Sequence, residues 1–194
     1  VDSLILKKIN NPYFMTDSNK ENLSFVVEII KIFKIKKGNL FKTLNKFGGL
    51  KYRQQVVFKS KGLTIINDSK ATTFSSSVSI LKSMSNVYWI VGGLAKKGDK
   101  FLMSKNHNKN FKAYIFGKNK SFFVKELRNI IRYETFINLK ISIKKVFLDI
   151  KNDKNHGHKT ILFSPAAASF DSFKNFEERG KYFNSLIKKF NHAK

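Results

Sequence analysis

Short apolar runs recur through most of this sequence, and each ends in a loop of polar or small residues. The runs cover residues 63–66, 86–91, 111–116 and 160–163. Runs of this length that are rich in aliphatic and aromatic residues are typical of buried strands. Helical patterns follow these loops. Strands that alternate with helices indicate an α/β domain with a mostly parallel sheet flanked by helices.

The loop after the first run carries the polar residues that most constrain function. It reads Asn67-Asp68-Ser69-Lys70-Ala71-Thr72, and the serines at 75–77 then offer hydroxyls that would cap the next helix. Ligands of open parallel sheets bind just beyond the carboxyl ends of the strands, where Asp68, Lys70 and Thr72 would lie. The alternative is that these residues serve only turn and capping chemistry.

The loop after the second run begins with a glycine pair. Gly92 and Gly93 permit positive φ angles and close approach of the backbone to a ligand, and Lys96 follows within reach of an anionic group. A tight turn with solvated lysines is the alternative. The phosphate-binding pattern Gly-x-x-x-x-Gly-Lys-Ser/Thr does not occur in the sequence, so these residues do not bind ATP phosphates in that way.

The charge of the chain raises a second class of function. Its net charge is +25 over 194 residues, which would suit a nucleic-acid-binding protein. Lysine is scattered over almost every segment, however, and the arginines that best read phosphate and guanine occur only at 53, 128, 132 and 179. We therefore expect no nucleic-acid partner.

Several other sites and locations are disfavoured by the sequence. It contains no cysteine, which excludes disulfides and fits a reducing cytoplasm. No apolar run reaches membrane-spanning length and no signal peptide opens the chain, so we expect no membrane partner. His156 and His158 lack a third ligand nearby, so we expect them to be solvent-exposed and expect no metal site.

The first 50 residues differ in pattern from the remainder. Apolar residues at helical spacing predict an amphipathic helix over residues 19–38, with Asn19 as its N-cap, and a second helical pattern runs up to Phe47. The glycine pair at 48–49 then marks the expected boundary between a first segment, 1–50, and a domain at 51–194.

The loop after the last apolar run is long and specific. Residues 164–180 read Ser-Pro-Ala-Ala-Ala-Ser-Phe-Asp-Ser-Phe-Lys-Asn-Phe-Glu-Glu-Arg-Gly. This stretch resembles the signature of the Mur ligases, in particular of the members that add D-glutamate, with Phe170 where leucine is common. The loop at residues 67–72 resembles the same family, as does the linker at residues 49–53, which departs from the family pattern at two positions.

The resemblance implies both a fold and an activity. Residues 51–194 would be the Mur ligase C-terminal domain, with a Rossmann-like mostly parallel sheet, and residues 1–50 the last helices of the central ATP-binding domain. The activity would be ATP-dependent addition of D-glutamate to UDP-N-acetylmuramoyl-L-alanine through an acyl phosphate, in cytoplasmic peptidoglycan precursor synthesis. The phosphate-binding loop and the Mg²⁺ ligands would belong to the N-terminal and central domains of the same enzyme. The chain alone would then be inactive, and the enzyme a monomer.

The same resemblance assigns roles to individual residues. Lys70 and Lys96 would act in catalysis. The residues that would bind D-glutamate are Lys70, Thr72, Lys96, Ser169, Phe170 and Phe176. The residues that would contact the nucleotide are Asn19, Asn22, Arg53 and Asp68. Ser18 stands where the family usually has histidine, which weakens the match beside Asn19.

Three other interpretations are open from the residues. The first is a lysine-rich nucleic-acid-binding domain, the second another member of the Mur and folylpolyglutamate ligase superfamily, and the third a binding module that stands alone. The stretch at residues 164–180 favours the D-glutamate-adding members over the second interpretation.

Overall fold

The computed structural model describes residues 7–15, 17–104 and 110–191 of the chain. The chain forms two compact units, Val1–Gly49 and Leu50–Lys194, and each is described by itself. Within the described ranges, no helix is long and apolar enough to span a bilayer.

The first unit is helical. A 3₁₀ helix at Pro12–Met15 precedes α1 (Asp17–Ile32) and α2 (Lys37–Lys46). Its small core is formed by apolar side chains of these elements and of the segment before them, namely Ile9, Phe14, Leu23, Val27, Leu40 and Leu44.

The second predicted helix of this unit is confirmed, whereas the first was predicted with the wrong ends. α1 begins at Asp17 and ends at Ile32. Lys34 then adopts a positive φ of 52°, which divides the apolar pattern between two helices. Asn19 therefore lies inside α1 and is not its N-cap, and its side-chain amide donates a hydrogen bond to the carbonyl of Tyr13 (2.6 Å).

The second unit is built on one sheet. Its strands are β1 (Gln55–Lys59), β2 (Leu63–Asn67), β3 (Val87–Gly92), β4 (Phe111–Phe116), β5 (Arg132–Phe136) and β6 (Lys159–Phe163). Their order across the sheet is β1-β2-β6-β3-β4-β5. β1 pairs antiparallel with β2, and the pairings from β2 to β5 are parallel. The predicted α/β class with a mostly parallel sheet is confirmed.

The two edge strands are those that the sequence pattern did not reveal. β1 and β5 border the sheet, and their residues are half-buried or exposed along most of their length. An edge strand that is partly solvated does not need a continuous apolar run. A search for such runs therefore finds the central strands and misses the edges.

Helices cover both faces of the sheet. They are α3 (Phe74–Leu81), α4 (Lys120–Leu127), α5 (Leu139–Asn152) and α6 (Phe176–Asn191). α3 and α4 share one core layer with Trp89 and Leu162, and α5 and α6 share the other with Ile90 and Phe163. Neighbouring residues of one strand thus enter opposite layers, as the alternation of a strand requires.

Three loops with predicted site residues leave the sheet at the carboxyl ends of its strands, which we call the carboxyl edge. β2, β6 and β3 are neighbours and run parallel, so their carboxyl ends lie side by side. Asp68, Ser164 and Gly93 are the first residues after these strands. The strand order therefore brings together parts of the chain that are far apart in sequence.

Gly92 ends β3 in a conformation that residues with side chains rarely adopt. Its φ is 141°, and a Cβ at this position would lie 2.1 Å from the carbonyl oxygen of Phe116 on β4. The missing side chain is what allows β3 and β4 to remain paired up to their carboxyl ends.

Gly92→Ala should lower the free energy of unfolding of the second unit by about 3 kcal/mol or more, because the new methyl group meets backbone and the φ is strained. Gly62→Ala is the matched control, since nothing lies within 4 Å of a Cβ there. Its expected loss is below about 1 kcal/mol. Urea unfolding followed by circular dichroism measures both variants. Equal losses would contradict the close approach of β3 and β4.

Candidate functional site

Backbone hydrogen bonds join two of the loops at the carboxyl edge of the sheet. The amide of Leu94 donates to the carbonyl of Ala168 (2.9 Å), and the amide of Ala168 donates to the carbonyl of Leu94 (3.0 Å). These bonds hold the loop that leads to Lys96 against the segment that carries Ser169. The structure thus places these two segments side by side.

Asp68 is a buried acid at this edge. The backbone amide of Gln54 donates to one carboxylate oxygen (3.1 Å), and the hydroxyl of Ser164 donates to the other (2.9 Å). Burial raises the pKa of Asp68 from its ordinary value of 3.8 to about 7, although these hydrogen bonds and the charge of Arg53 act in the opposite direction. The carboxyl group therefore gains or loses its proton near neutral pH.

Two serine hydroxyls connect Asp68 to α3. The hydroxyl oxygen of Ser77 lies 2.7 Å from that of Ser164, which donates to Asp68. The prediction that the serines of this segment cap α3 was wrong. Thr73 is the N-cap, and its hydroxyl oxygen accepts a hydrogen bond from the amide of Ser76 (3.4 Å). Ser77 lies within α3, where it is buried and bonded to Ser164, the first residue after β6.

Lys70 and Phe176 are in direct contact. The ammonium group of Lys70 lies 3.9 Å from the centroid of the Phe176 ring, which is a cation–π contact. The backbone amide of Lys70 donates to the carbonyl of Tyr52 (3.0 Å). Two predicted site residues, one in the loop after β2 and one at the start of α6, therefore share one interaction.

The other predicted site residues of the second unit differ in exposure. Thr72, Lys96 and Arg53 are exposed, and Phe170 is 70% exposed. Ser169 is only 3% exposed. The exposed side chains are open to a ligand, whereas Ser169 presents little surface.

Asn19 and Asn22 belong to the first unit. Asn19 is buried, with its amide on the Tyr13 carbonyl, and Asn22 is exposed. Both lie within the first two turns of α1. The structure does not assign either of them to the edge that carries Asp68 and Lys70.

The glycine pair after β3 approaches protein atoms. Both glycines have the positive φ angles that the sequence permits. A Cβ on Gly93 would lie 2.6 Å from the carbonyl oxygen of Ala168 and 3.1 Å from Nη1 of Arg179. The expected close approach of backbone therefore serves the packing of one loop on another.

Arg179 is a residue of this edge for which the sequence alone gave no role. Its fully buried guanidinium donates to the hydroxyl of Ser69 (3.1 Å), to the carbonyl of Ser69 (2.7 Å) and to the carbonyl of Ala167 (2.9 Å). The available signal was its place at the end of the specific stretch 164–180, before the glycine that closes it.

The predicted exposure of His156 and His158 is confirmed. The ring of His158 lies 2.9 Å from the hydroxyl of Thr64, so it has a protein partner. Within the part of the chain that the structure describes, no group of three or more His, Cys, Asp or Glu side chains is arranged to hold a metal ion.

A cavity of about 260 Å³ lies at the opposite edge of the sheet. Its lining includes Asn86, Lys112, Arg132 and Asp149, near the amino ends of β3, β4 and β5. None of the predicted site residues lines it. We therefore place the candidate site at the carboxyl edge, where the polar loops meet.

The sequence resembles those of known ligases along most of its length. It is 35% identical over 172 residues to the UDP-N-acetylmuramoylalanine–D-glutamate ligase of Wolbachia sp. subsp. Brugia malayi, over 89% of this chain and 34% of that protein. The ligase of the same name from Rickettsia felis is 33% identical, over 88% of this chain and 38% of that protein. The one from Francisella philomiragia is 32% identical, over 96% of this chain and 45% of that protein. The chain belongs to the Mur ligase family.

This Mur ligase chain spans less than half the length of the relatives it matches, between 34% and 45% for these three. The solved structure of the UDP-N-acetylmuramate–alanine ligase of Thermotoga maritima has the same fold. The two structures match with a TM-score of 0.59 and 11% sequence identity, over 92% of this chain and 39% of that one. No family model matches the sequence. Membership of the Mur ligases disfavours the interpretation as a nucleic-acid-binding domain.

The raised pKa of Asp68 gives this Mur ligase chain a testable pH dependence. The folded state keeps the proton of Asp68 up to about pH 7, whereas the unfolded state releases it near pH 3.8. The stability that the protonated carboxyl group contributes is therefore fully present below pH 3.8 and is lost as the pH rises to about 7. The loss is on the order of 4 kcal/mol.

Asp68→Asn removes this titration and keeps the shape of the side chain. Urea unfolding at roughly pH 4.5 and roughly pH 7.5 should show the wild type losing stability relative to the variant as pH rises. The other carboxylates occur in both proteins, so their effects cancel when the free energies of unfolding of the wild type and the variant are subtracted. Parallel pH curves would mean that Asp68 ionises at its ordinary pKa.

Proposed function

We propose that this Mur ligase chain forms the amino-acid-binding part of an ATP-dependent ligase that adds D-glutamate to UDP-N-acetylmuramoyl-L-alanine. The reaction belongs to peptidoglycan precursor synthesis in the cytoplasm. Relatives that are 32% to 35% identical carry the name of that ligase. The observation that carries the proposal is the contact of Lys70 with Phe176, since it joins the loop after β2 to the start of α6 at the edge where parallel sheets bind ligands.

The charge of D-glutamate suits this edge. The substrate has two carboxylates, and the loops after β2 and β3 offer two cations, Lys70 and Lys96. A charge-assisted hydrogen bond made in a dry cleft contributes roughly 1.5–3 kcal/mol. Two such bonds would distinguish a dicarboxylic amino acid from a neutral one.

Hydroxyl and aromatic groups complete the proposed site. Thr72 and Ser169 would donate hydrogen bonds to the carboxylates. Phe176 already holds the Lys70 ammonium and would keep it oriented, and Phe170 is exposed enough to cover a bound substrate. Closing such a site over the substrate would exclude water and strengthen each of these interactions.

The position of D-glutamate matters because its amine forms the new bond. ATP would phosphorylate the carboxylate of UDP-N-acetylmuramoyl-L-alanine, giving an acyl phosphate and ADP. The neutral amine of D-glutamate would then attack the acyl carbon, phosphate would leave, and the nitrogen would lose a proton to leave an amide. By holding both carboxylates, Lys70 and Lys96 would orient the amine towards the acyl carbon.

Four residues are proposed to contact the nucleotide: Asn19, Asn22, Arg53 and Asp68. Arg53 is an exposed cation whose charge acts on Asp68, so these two side chains are neighbours. Among the described residues, no group of three or more His, Cys, Asp or Glu side chains is arranged to hold a metal ion, and the sequence has no phosphate-binding glycine loop. We assign those tasks to other domains of the same enzyme.

In the full-length ligase that contains this chain, Lys96→Ala should lower kcat/KM for D-glutamate about thirty- to a hundred-fold. This corresponds to the loss of one charged hydrogen bond of about 2–3 kcal/mol in a closed site. Steady-state phosphate release, with ATP and D-glutamate varied separately, measures the effect. The fold should be unchanged, since Lys96 is an exposed loop residue.

Lys97→Ala is the matched control, because Lys97 is the next residue of the same loop and is also exposed. Its kcat/KM should stay within about threefold of the wild type. Thermal melts of both variants exclude unfolding. Equal losses in the two variants, or a loss confined to the ATP parameters, would place Lys96 outside the D-glutamate site. A wild-type enzyme without D-glutamate-dependent phosphate release would overturn the proposed function.

A further inference from the structure

Arg179 is a buried cation, and Asp171, whose charge acts on it, does not form an ion pair with it. Its side chain is fully buried, and no carboxylate among the described residues forms an ion pair with it. Burial lowers the pKa of Arg179 to about 10, with the charge of Asp171 acting in the opposite direction, so the side chain is still a cation at neutral pH. Burying a charge costs several kcal/mol, and an apolar side chain of similar volume is often at least as stabilising. Packing alone therefore does not explain an arginine here.

The acceptors of Arg179 identify what it does. Two of its hydrogen bonds end on Ser69, which lies between Asp68 and Lys70, and the third ends on the carbonyl of Ala167. A single planar guanidinium thus binds the loop after β2 and the segment after β6 at the same time. Its rigid fork fixes the separation of these two parts of the backbone.

Ser69 extends this link to the aromatic residue of the site. Its hydroxyl accepts a hydrogen bond from Nε of Arg179 and donates one to the carbonyl of Phe176 (2.9 Å). The residue before Lys70 is therefore bonded to the residue whose ring holds the Lys70 ammonium at 3.9 Å. The geometry of that cation–π contact depends on the bonds made by Ser69 and Arg179.

The third nitrogen of the guanidinium lies near the loop that leads to Lys96. A Cβ on Gly93 would lie 3.1 Å from Nη1 of Arg179, and this nitrogen has no hydrogen-bond partner. The guanidinium therefore bonds to two of the segments that leave the carboxyl edge and lies near the third. It does so while fully buried, which keeps it away from any ligand.

We propose that Arg179 is a positioning residue for the D-glutamate site: it sets the spacing of Lys70, Phe176 and the segment carrying Ser169 without touching the substrate. The inference rests on the proposed function of this edge. It differs from a general role in stability, because it makes the affinity for one substrate depend on a group that this substrate does not contact.

The variant Arg179→Lys separates these two roles in the full-length ligase. Lysine keeps the positive charge, but one ammonium group does not reproduce the fork that reaches both Ser69 and Ala167. We expect KM for D-glutamate to rise about tenfold or more, while KM for ATP changes less than about threefold. A role in stability alone would reduce the folded fraction, which lowers kcat and leaves both KM values unchanged.

Two further variants complete the experiment. Arg128→Lys is the control, because Arg128 is an exposed arginine at the end of α4, and no change is expected. Ser69→Ala keeps the arginine and removes the hydroxyl that bridges it to Phe176, so KM for D-glutamate should rise about three- to tenfold. Thermal melts report the folded fraction of each variant.

The outcomes are distinct. A selective rise in KM for D-glutamate in both site variants supports the inference. An unchanged KM for D-glutamate in Arg179→Lys, or equal changes for both substrates, overturns it while leaving the proposed function standing. If Arg179→Lys does not fold, Ser69→Ala decides alone, and an unchanged KM there overturns the inference. An inactive wild-type enzyme overturns the proposed function, and the inference with it.

Discussion

The carboxyl edge of this sheet depends on the hydrogen bonds that the buried guanidinium of Arg179 donates. A parallel sheet delivers its loops to one edge, but it does not fix how far apart they stand. Arg179 binds the loop after β2 at Ser69 and the segment after β6 at Ala167, and a Cβ on Gly93 after β3 would lie 3.1 Å from its Nη1. Because its donors lie in one rigid plane, a single side chain on α6 defines the relative positions of these loops.

Burial acts in opposite ways on the two ionisable groups that are deepest at this edge. It raises the pKa of Asp68 to about 7 and lowers that of Arg179 to about 10. At neutral pH the arginine is therefore a fixed charge, whereas the aspartate is close to the midpoint of its titration. The hydroxyl of Ser164, which lies 2.7 Å from that of Ser77, donates a hydrogen bond to Asp68 (2.9 Å).

Much of the fold was predictable because its central strands are covered on both faces. Such strands need continuous apolar residues, and β2, β3, β4 and β6 all show them in the sequence. The edge strands β1 and β5 were missed because a partly solvated strand carries no such run. The ends of α1 were misplaced for a related reason, since the turn at Lys34 interrupts the helix without a proline or a glycine.

The sequence by itself determined the α/β class, the resemblance to the Mur ligases and the polar residues that follow each central strand. Those properties are local, because they depend on the order of residue types along a few turns or one strand. Only the tertiary structure decided that Lys70 lies on Phe176, that Asp68 is buried beside Ser164 and that Arg179 joins Ser69 to Ala167. These properties depend on the strand order β2-β6-β3, which brings distant segments side by side and removes their polar groups from water.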